Sequence, residues 1–178
     1  MKVMLVNGSS HLHGTTMTAL EEMIKVFHSE EVETEVVQLG GKPIADCLQC
    51  NVCQKTGKCV IKDDGVNEFV EKAKTADGFV FATPVYWWGM SAQLKQVIDK
   101  CYCRGMQLKG KKAGVIVTGG SPVDNIQYEL IRKQFECMAG YLSWDMLFQK
   151  SYYATDRDEL AKNTAAIEEL EDLGKKIG

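Results

Sequence analysis

The chain contains no run of about 18 consecutive apolar residues, the length that a membrane-spanning helix requires. Its first residues, MKVMLVNGSS, place a single lysine before only four apolar residues, which is too short for the core of a secretory signal peptide. We therefore expect a cytoplasmic protein with no membrane partner.

Basic residues are neither in excess nor clustered. The chain has 21 Lys and Arg against 24 Asp and Glu, a net charge of −3, and no dense basic block. Proteins that bind nucleic acid through its phosphate backbone usually carry a basic patch. We therefore expect no nucleic-acid partner.

The chain also lacks the features that usually separate one domain from another. There are 3 prolines in 178 residues, and neither an internal repeat, a low-complexity tract nor a long linker is visible. This length suits one domain of ordinary size. We expect residues 1–178 to form a single domain.

Cysteine, by contrast, is abundant. The chain has 7 cysteines, and four of them lie in the stretch DCLQCNVCQKTGKCVIKDD, residues 46–64. Disulfides are rare in a reducing cytosol, so an odd number of cysteines favours metal-binding or redox roles over a disulfide framework.

Short apolar runs of strand length alternate with stretches of helical period. This alternation predicts a three-layer α/β/α domain around a five-stranded parallel sheet. Five strands favour the flavodoxin-like order 2-1-3-4-5, in which ligands lie beyond the carboxyl ends of strands 1, 3 and 4. The loops at those ends are 7–16, 83–91 and 118–125. The expected strands are 2–6, 34–39, 78–84, 113–120 and 144–153.

The first of these loops, NGSSHLHGTT, is rich in Gly, Ser and Thr. It has neither the Gly-Lys of a P-loop nor the G-x-G-x-x-G dinucleotide pattern. Hydroxyls and free N–H groups at a helix N-terminus favour an anion, so a phosphate monoester could bind here. The alternative is an ordinary polar turn with a helix cap. The candidate ligands are Ser9, Ser10, Thr15 and Thr16, with His11 as the nearby group that could carry positive charge.

The second loop is aromatic, and the third is rich in glycine. The segment TPVYWWGMSAQLKQVIDK, 83–100, places two tryptophans where the third strand should end, with Ser91 as the predicted N-cap of the next helix. A flat heteroaromatic ring could lie along this loop, bonded by the N–H groups of 87–89. Alternatively, the tryptophans fill a core or a dimer interface. In TGGSP, 118–122, glycines allow a ligand to approach the backbone closely.

Together, the hydroxyl-rich loop, the TPVYWWGMSAQLKQVID block and the TGG turn resemble the NADPH-dependent FMN reductase family over essentially the whole chain. The resemblance implies FMN where the strand order reverses, NAD(P)H as electron donor, and a homodimer or homotetramer. The family often has Arg in place of His11 and Asn in place of Thr15. The implied phosphate ligands are Ser9, His11, Thr15 and Thr16, and the ring would lie against Pro84, Val85, Tyr86, Trp87, Trp88, Gly89, Thr118, Gly119 and Gly120.

The cysteine segment narrows the resemblance to the iron–sulfur flavoprotein branch, whose motif is C-x2-C-x2-C followed by a fourth cysteine. Cys47, Cys50 and Cys53 match the first part, and Cys59 follows after five residues. Such a run favours a [4Fe–4S] cluster. Free thiols or a dithiol are a second interpretation. Zinc is a third, although structural zinc usually takes two separated pairs with sulfurs roughly 3.8 Å apart.

The other three cysteines follow a different pattern. Cys101, Cys103 and Cys137 fall on expected helices at spacings that make no ligand set. We expect them to be buried apolar residues.

These features lead to one expected function and two rivals. NAD(P)H would pass a hydride to FMN, and the electrons would go on, through the cluster if one forms, to a quinone, a flavin or another small-molecule or protein acceptor. One rival is a non-enzymatic flavodoxin-like or iron–sulfur flavoprotein carrier that acts between protein partners. The other is a zinc-dependent interaction module without flavin.

Overall fold

A parallel five-stranded sheet forms the centre of the structure, a computed structural model that describes residues 1–156 and 158–178. The strands lie in the spatial order β2-β1-β3-β4-β5, as predicted. Each predicted strand boundary lies within one residue of the observed one. The strands are β1 Lys2–Asn7, β2 Glu33–Gln38, β3 Gly78–Pro84, β4 Lys112–Gly119 and β5 Asp145–Tyr153.

Helices cover both faces of the sheet. Helices α1 and α6 pack on one face, and α3, α4 and α5 pack on the other. The short helix α2 buries none of its residues. No helix within residues 1–156 and 158–178 is long and apolar enough to cross a membrane. The helices are α1 Thr15–Ser29, α2 Val52–Thr56, α3 Val66–Thr75, α4 Ala92–Lys100, α5 Ile126–Leu142 and α6 Thr164–Ile177.

The two cores follow from the alternation of side chains along each strand. Successive residues of a strand point to opposite faces of the sheet. In β3, Phe79 and Phe81 contribute to the core under α3, α4 and α5, while Val80 and Ala82 contribute to the core under α1 and α6. The central strands are therefore apolar at nearly every position, as the sequence pattern predicted.

The strand register brings the three predicted loops to one edge of the sheet. Asn7 at the end of β1 pairs with Ala82, and Pro84 at the end of β3 pairs with Thr118 of β4. Ser91 caps α4 as predicted, since its Oγ accepts the N–H of Leu94 at 3.3 Å. The loops after β1, β3 and β4 are thus neighbours.

Candidate functional site

A cavity of about 720 Å³ lies at the carboxyl ends of β1, β3 and β4. This volume is within the usual range for a small-molecule site. The cavity brings together ten of the thirteen residues that the family resemblance implies for FMN. They are Ser9, His11, Thr15, Thr16, Pro84, Val85, Tyr86, Thr118, Gly119 and Gly120.

The backbone of Ser9 is held from both sides. Its N–H donates to Asn7 Oδ1 at 3.0 Å, and its carbonyl accepts from Gln38 Nε2 at 2.9 Å. The amide of Asn7 in turn donates to Gln38 Oε1 at 2.6 Å. Ser9 is buried, and its Oγ accepts the N–H of His11 at 3.1 Å. Two side chains on adjacent strands therefore fix the start of the hydroxyl-rich loop, a role that the sequence analysis missed.

The N-terminus of α1 faces this loop with few groups to satisfy it. Gly14 is the N-cap, and among the described residues no side chain caps α1 and no acidic residue lies in its first turn. Unsatisfied N–H groups and the helix dipole favour an anion at such an end. Thr16 in the first turn is buried, and its Oγ1 lies 3.4 Å from Thr118 Oγ1. The arrangement suits a phosphate group.

Part of the cavity wall comes from the end of β5, which the sequence analysis did not include. Ala154, Thr155 and Asp156 line the cavity. The carbonyl of Asp156 accepts the hydroxyl of Thr15 at 3.0 Å, so that hydroxyl hydrogen already has a partner. The predicted strand order places β5 beside β4. That order could therefore have indicated that the end of β5 contributes to the cavity.

The aromatic loop forms a tight turn. Tyr86 and Gly89 exchange two backbone hydrogen bonds, of 2.9 and 3.1 Å, so the N–H of Gly89 is already paired within the turn. Tyr86 lines the cavity and its hydroxyl lies 3.0 Å from Ser10 Oγ. In the described chain, Trp87, Trp88 and Gly89 are not among the residues that line the cavity.

Trp87 and Trp88 have φ angles of 48° and 64°, in the left-handed region. Their rings form a T-shaped pair with centroids 5.2 Å apart. A two-residue turn with positive φ at both positions strongly prefers Asn-Gly, and strain of this kind tends to occur at functional sites. Trp87 is 91% exposed. Trp87 therefore adopts a left-handed backbone conformation although little of its side chain is buried.

Replacing Trp87 by asparagine is expected to raise the free energy of unfolding by about 1 kcal/mol, because Asn tolerates the left-handed conformation better. Urea denaturation measures this. The matched control is Tyr141→Asn, which changes an exposed aromatic residue on the regular helix α5. A stabilisation of the same size in both variants would show that the turn is not strained.

The four cysteines of the 46–64 segment surround a second, smaller cavity of about 50 Å³. Cys47 and Cys50 are exposed, whereas Cys53 and Cys59 are half-buried. The segment is irregular apart from the one-and-a-half turns of α2. The structure therefore gathers the predicted sulfur donors around one space.

Side chains outside the segment hold it in place. Asn67 of α3 accepts the N–H of Cys59 at 2.8 Å and donates to the carbonyls of Cys59 and Ile61, each at 3.1 Å. Gln96 of α4 donates to Asp46 at 2.8 Å. Two hydrogen bonds to one asparagine thus fix the backbone of Cys59, and the third fixes nearby Ile61.

A buried ion pair lies at the end of this segment. The ammonium of Lys100, at the end of α4, contacts the Asp64 carboxylate, and both side chains are almost completely buried. Asp64 also accepts the N–H groups of Ala45 and Val66, at 3.3 and 3.2 Å. Burial opposes ionisation of Asp64, but the hydrogen bonds from Lys100, Val66 and Ala45 outweigh it and lower its pKa. Asp64 therefore joins α4 to both ends of the cysteine segment.

The prediction for the remaining cysteines was partly wrong. Cys137 is exposed, because it lies on the outer face of α5. Cys101 and Cys103 are half-buried and pack against the core, and burial raises the pKa of the Cys101 thiol to about 12. Cys103, however, lines the same small cavity as the four loop cysteines. Burial raises its pKa to about 11, with smaller contributions from the thiols of Cys53 and Cys59.

Zinc and a cubane cluster make different demands on the sulfurs that hold them. A zinc site needs four sulfurs roughly 3.8 Å apart around one ion. In a cubane, each thiolate binds a separate iron. Four cysteines that line one cavity supply the donors that either centre needs. Within residues 1–156 and 158–178, no group of three or more His, Cys, Asp or Glu side chains is arranged to hold a metal ion.

Comparison with known proteins identifies several relatives of the chain. Residues 1–143 match the family model described as NADPH-dependent FMN reductase. An iron–sulfur flavoprotein of Methanocaldococcus jannaschii is 39% identical over 123 residues, which cover 68% of this chain and 63% of that protein. An iron–sulfur flavoprotein of Archaeoglobus fulgidus is 36% identical over 122 residues, covering 66% and 62%. The chain thus spans slightly less than two thirds of the length of these curated relatives.

Solved structures share the fold. An NAD(P)H:quinone oxidoreductase from Methanothermobacter marburgensis superposes with a TM-score of 0.75 at 14% identity, over 99% of this chain and 96% of that one. An FMN-dependent NADH-azoreductase from Bacillus anthracis, in complex with FMN, gives 0.74 at 14% identity, over 99% of both chains. At this identity the likeness concerns the fold alone. Since the family model matches most of the chain, the protein belongs to the NADPH-dependent FMN reductase family and has its flavodoxin-like fold.

Proposed function

We propose that the chain is an FMN-dependent oxidoreductase that takes electrons from NAD(P)H. The observation that carries the proposal is the cavity at the carboxyl ends of β1, β3 and β4, which combines buried hydroxyls, an uncapped helix N-terminus and a glycine turn. These groups suit a ligand with a phosphate at one end and a flat ring at the other. Family membership supports the same ligand.

The residues divide between the two ends of FMN. Ser9, His11 and Thr16, together with the first N–H groups of α1, would bind the phosphate. Pro84, Val85 and Tyr86 would border the ring on one side, and Thr118, Gly119 and Gly120 would border it on the other. The tether between Tyr86 and Ser10 holds the two loops together. Trp87, Trp88 and Gly89 reach the ring only if the turn adjusts.

When bound, FMN supplies the redox chemistry, taking a hydride from NAD(P)H and giving up electrons to an acceptor. The protein has to orient the ring and leave one face open to the nicotinamide. The fixed backbone of Ser9 provides a rigid support for this. No side chain of the cavity is required to act as an acid or base.

We further propose that Cys47, Cys50, Cys53 and Cys59 hold a [4Fe–4S] cluster. The cavity that they line supports this, and so do the names of the archaeal relatives. A cluster would divide the electron pair of the flavin into single-electron steps. Iron and sulfide analysis after anaerobic purification is expected to find both elements. Reactive thiols without iron would favour the dithiol interpretation.

The acceptor, the assembly and the compartment belong to the same proposal. A quinone, a free flavin or another small molecule is the expected acceptor. Exposed aromatic residues beside the cavity, Trp87 and Trp88 above all, support a homodimer or homotetramer with the flavin near a neighbouring subunit. Thiols that must stay reduced favour the cytoplasm.

Steady-state oxidation of NAD(P)H with a quinone acceptor, under anaerobic conditions, tests the proposal. We expect turnover that depends on FMN and on the acceptor. A non-enzymatic carrier remains the second candidate, favoured by the exposure of Cys47 and Cys50 to a protein partner. A carrier would oxidise neither NADH nor NADPH, yet it would accept electrons from a reduced protein.

Gly40→Ala is expected to weaken FMN binding by at least about tenfold, because a displaced anchor loses one charge-assisted hydrogen bond. A methyl group at Gly40 would lie 2.5 Å from the carbonyl of Ser9 and 2.8 Å from Ser10 Cα, so the phosphate loop must move. Fluorescence titration with FMN measures the affinity. The control is Gly140→Ala in α5, where a methyl group meets nothing within 4 Å. Equal affinities in both variants would contradict the placement of this loop.

A further inference from the structure

Five cysteines, rather than four, line the small cavity. The fifth is Cys103, which lies in the short 3₁₀ turn Cys101–Cys103 directly after α4. It is separated in sequence from the C-x2-C-x2-C motif, and its spacing gave no indication of a ligand. Only the fold brings it to the other thiols.

The five thiols form two groups by exposure. Cys47 and Cys50, the outer thiols, are exposed to solvent. Cys53, Cys59 and Cys103, the inner thiols, are all half-buried. Cys103 therefore shares its environment with the last two cysteines of the motif and not with the first two.

Two hydrogen bonds fasten the segment around Cys103 to the cysteine loop. On one side of it, the carbonyl of Tyr102 accepts Gln54 Nε2 at 2.9 Å. On the other side, Arg104 donates through Nε to the carbonyl of Gly57 at 2.6 Å. A side chain at Gly57 would collide with the Arg104 guanidinium at 2.5 Å, so this contact depends on glycine. Cys103 is thus held against the loop by both of its neighbours.

We infer that Cys103 is a reserve ligand of the cluster, able to replace either inner cysteine of the motif, Cys53 or Cys59. The inference rests on the proposed cluster. In the exchange, one iron–sulfur bond to the departing thiolate breaks and one to Cys103 forms. The proton of the Cys103 thiol passes to the departing sulfur, and the oxidation state of the cluster does not change. When an inner cysteine is absent, the Cys103 thiol releases its proton to solvent and binds the iron that would otherwise lack a thiolate.

Anaerobic reconstitution with iron and sulfide tests the inference. Each motif cysteine is changed to alanine, with and without Cys103→Ala, and iron and acid-labile sulfide per chain are measured. We expect Cys53→Ala and Cys59→Ala to retain most of the wild-type iron, with a changed electron paramagnetic resonance spectrum after reduction. Adding Cys103→Ala should remove most of that iron. Cys103→Ala alone should leave the iron content at the wild-type level.

The outer cysteines and Cys137 are the matched controls. Cys47→Ala and Cys50→Ala should lose iron to the same extent whether or not Cys103 is present, and Cys137→Ala should change nothing. Far-ultraviolet circular dichroism shows whether each variant is folded. The inference is overturned if the inner variants lose their iron while Cys103 is present, or if Cys103→Ala has no further effect on them. A wild-type chain that takes up no iron overturns it together with the cluster, whereas reduction of FMN by NAD(P)H in the same sample shows that the oxidoreductase proposal stands.

Discussion

Replacing Asp64 by alanine is expected to lower the free energy of unfolding by about 3–5 kcal/mol, because it leaves the buried ammonium of Lys100 without its counter-ion. Both side chains of this pair are almost completely buried. The variant also loses the acceptor for the N–H groups of Ala45 and Val66. Urea denaturation followed by circular dichroism measures the change.

The matched control lies on the same helix. Lys95→Ala removes an i,i+4 pair with Asp99 on the surface of α4, where both side chains are about half exposed. Exposed pairs of this kind contribute at most about 1 kcal/mol, so the control should be almost neutral. If Asp64→Ala and Lys95→Ala lower the free energy of unfolding by the same amount, the buried pair does not stabilise the fold more than an exposed pair does. The double variant Asp64→Leu/Lys100→Met should recover much of the loss, because it leaves no unpaired charge.

The pair of Asp64 and Lys100 makes the free energy of unfolding depend on pH. In the folded state, the pKa of Asp64 lies below its ordinary value of 3.8. A group with a lowered folded pKa stabilises the protein above its unfolded pKa and loses that contribution as the pH falls through the folded value. Acid therefore removes the stabilisation by Asp64 only below about pH 4.

The double variant Ser9→Ala/Thr16→Val is expected to reduce FMN affinity by about 100-fold or more, because two hydrogen bonds to a charged phosphate each contribute about 1.5–3 kcal/mol. Both side chains are buried at the N-terminus of α1. Valine preserves the volume of Thr16 while removing its hydroxyl. Fluorescence titration of the apo-protein with FMN measures the dissociation constant.

Ser29→Ala supplies the comparison at the opposite end of the same helix. Its hydroxyl donates to the carbonyl of Val26 at 2.7 Å and lies far from the cavity. We expect wild-type FMN affinity in this variant. Near-wild-type affinity in Ser9→Ala/Thr16→Val as well would mean that the phosphate binds elsewhere.

The sheet and its loops could be predicted from local sequence because each signal is carried by neighbouring residues. The short apolar run 78–84, which ends at a proline, predicted a buried strand, and Ser91 follows it at the right distance to cap α4. The position of the cavity then follows from the strand order. Most of the predicted cofactor residues meet there for this reason.

Contacts between segments that are distant in the sequence could not be predicted. Cys103 joins the cysteine cavity only because α4 ends beside the loop, and no spacing rule connects it with Cys59. The same holds for the pairing of Asp64 with Lys100. The sequence predicted either that a ring lies along the loop at Trp87 or that the tryptophans fill a core or an interface, and neither alternative indicated the positive φ angles of Trp87 and Trp88. Two-residue turns of this conformation usually carry Asn-Gly, so a Trp-Trp pair gave no indication of it.

The proposed function requires that NAD(P)H reduce FMN bound to this chain. The most direct measurement is anaerobic stopped-flow mixing of the FMN-loaded protein with NADPH and, separately, with NADH, while the absorbance of oxidised flavin is recorded. We predict that at least one of them bleaches the flavin. If neither does, although dithionite bleaches the same sample, the chain is not an NAD(P)H oxidoreductase.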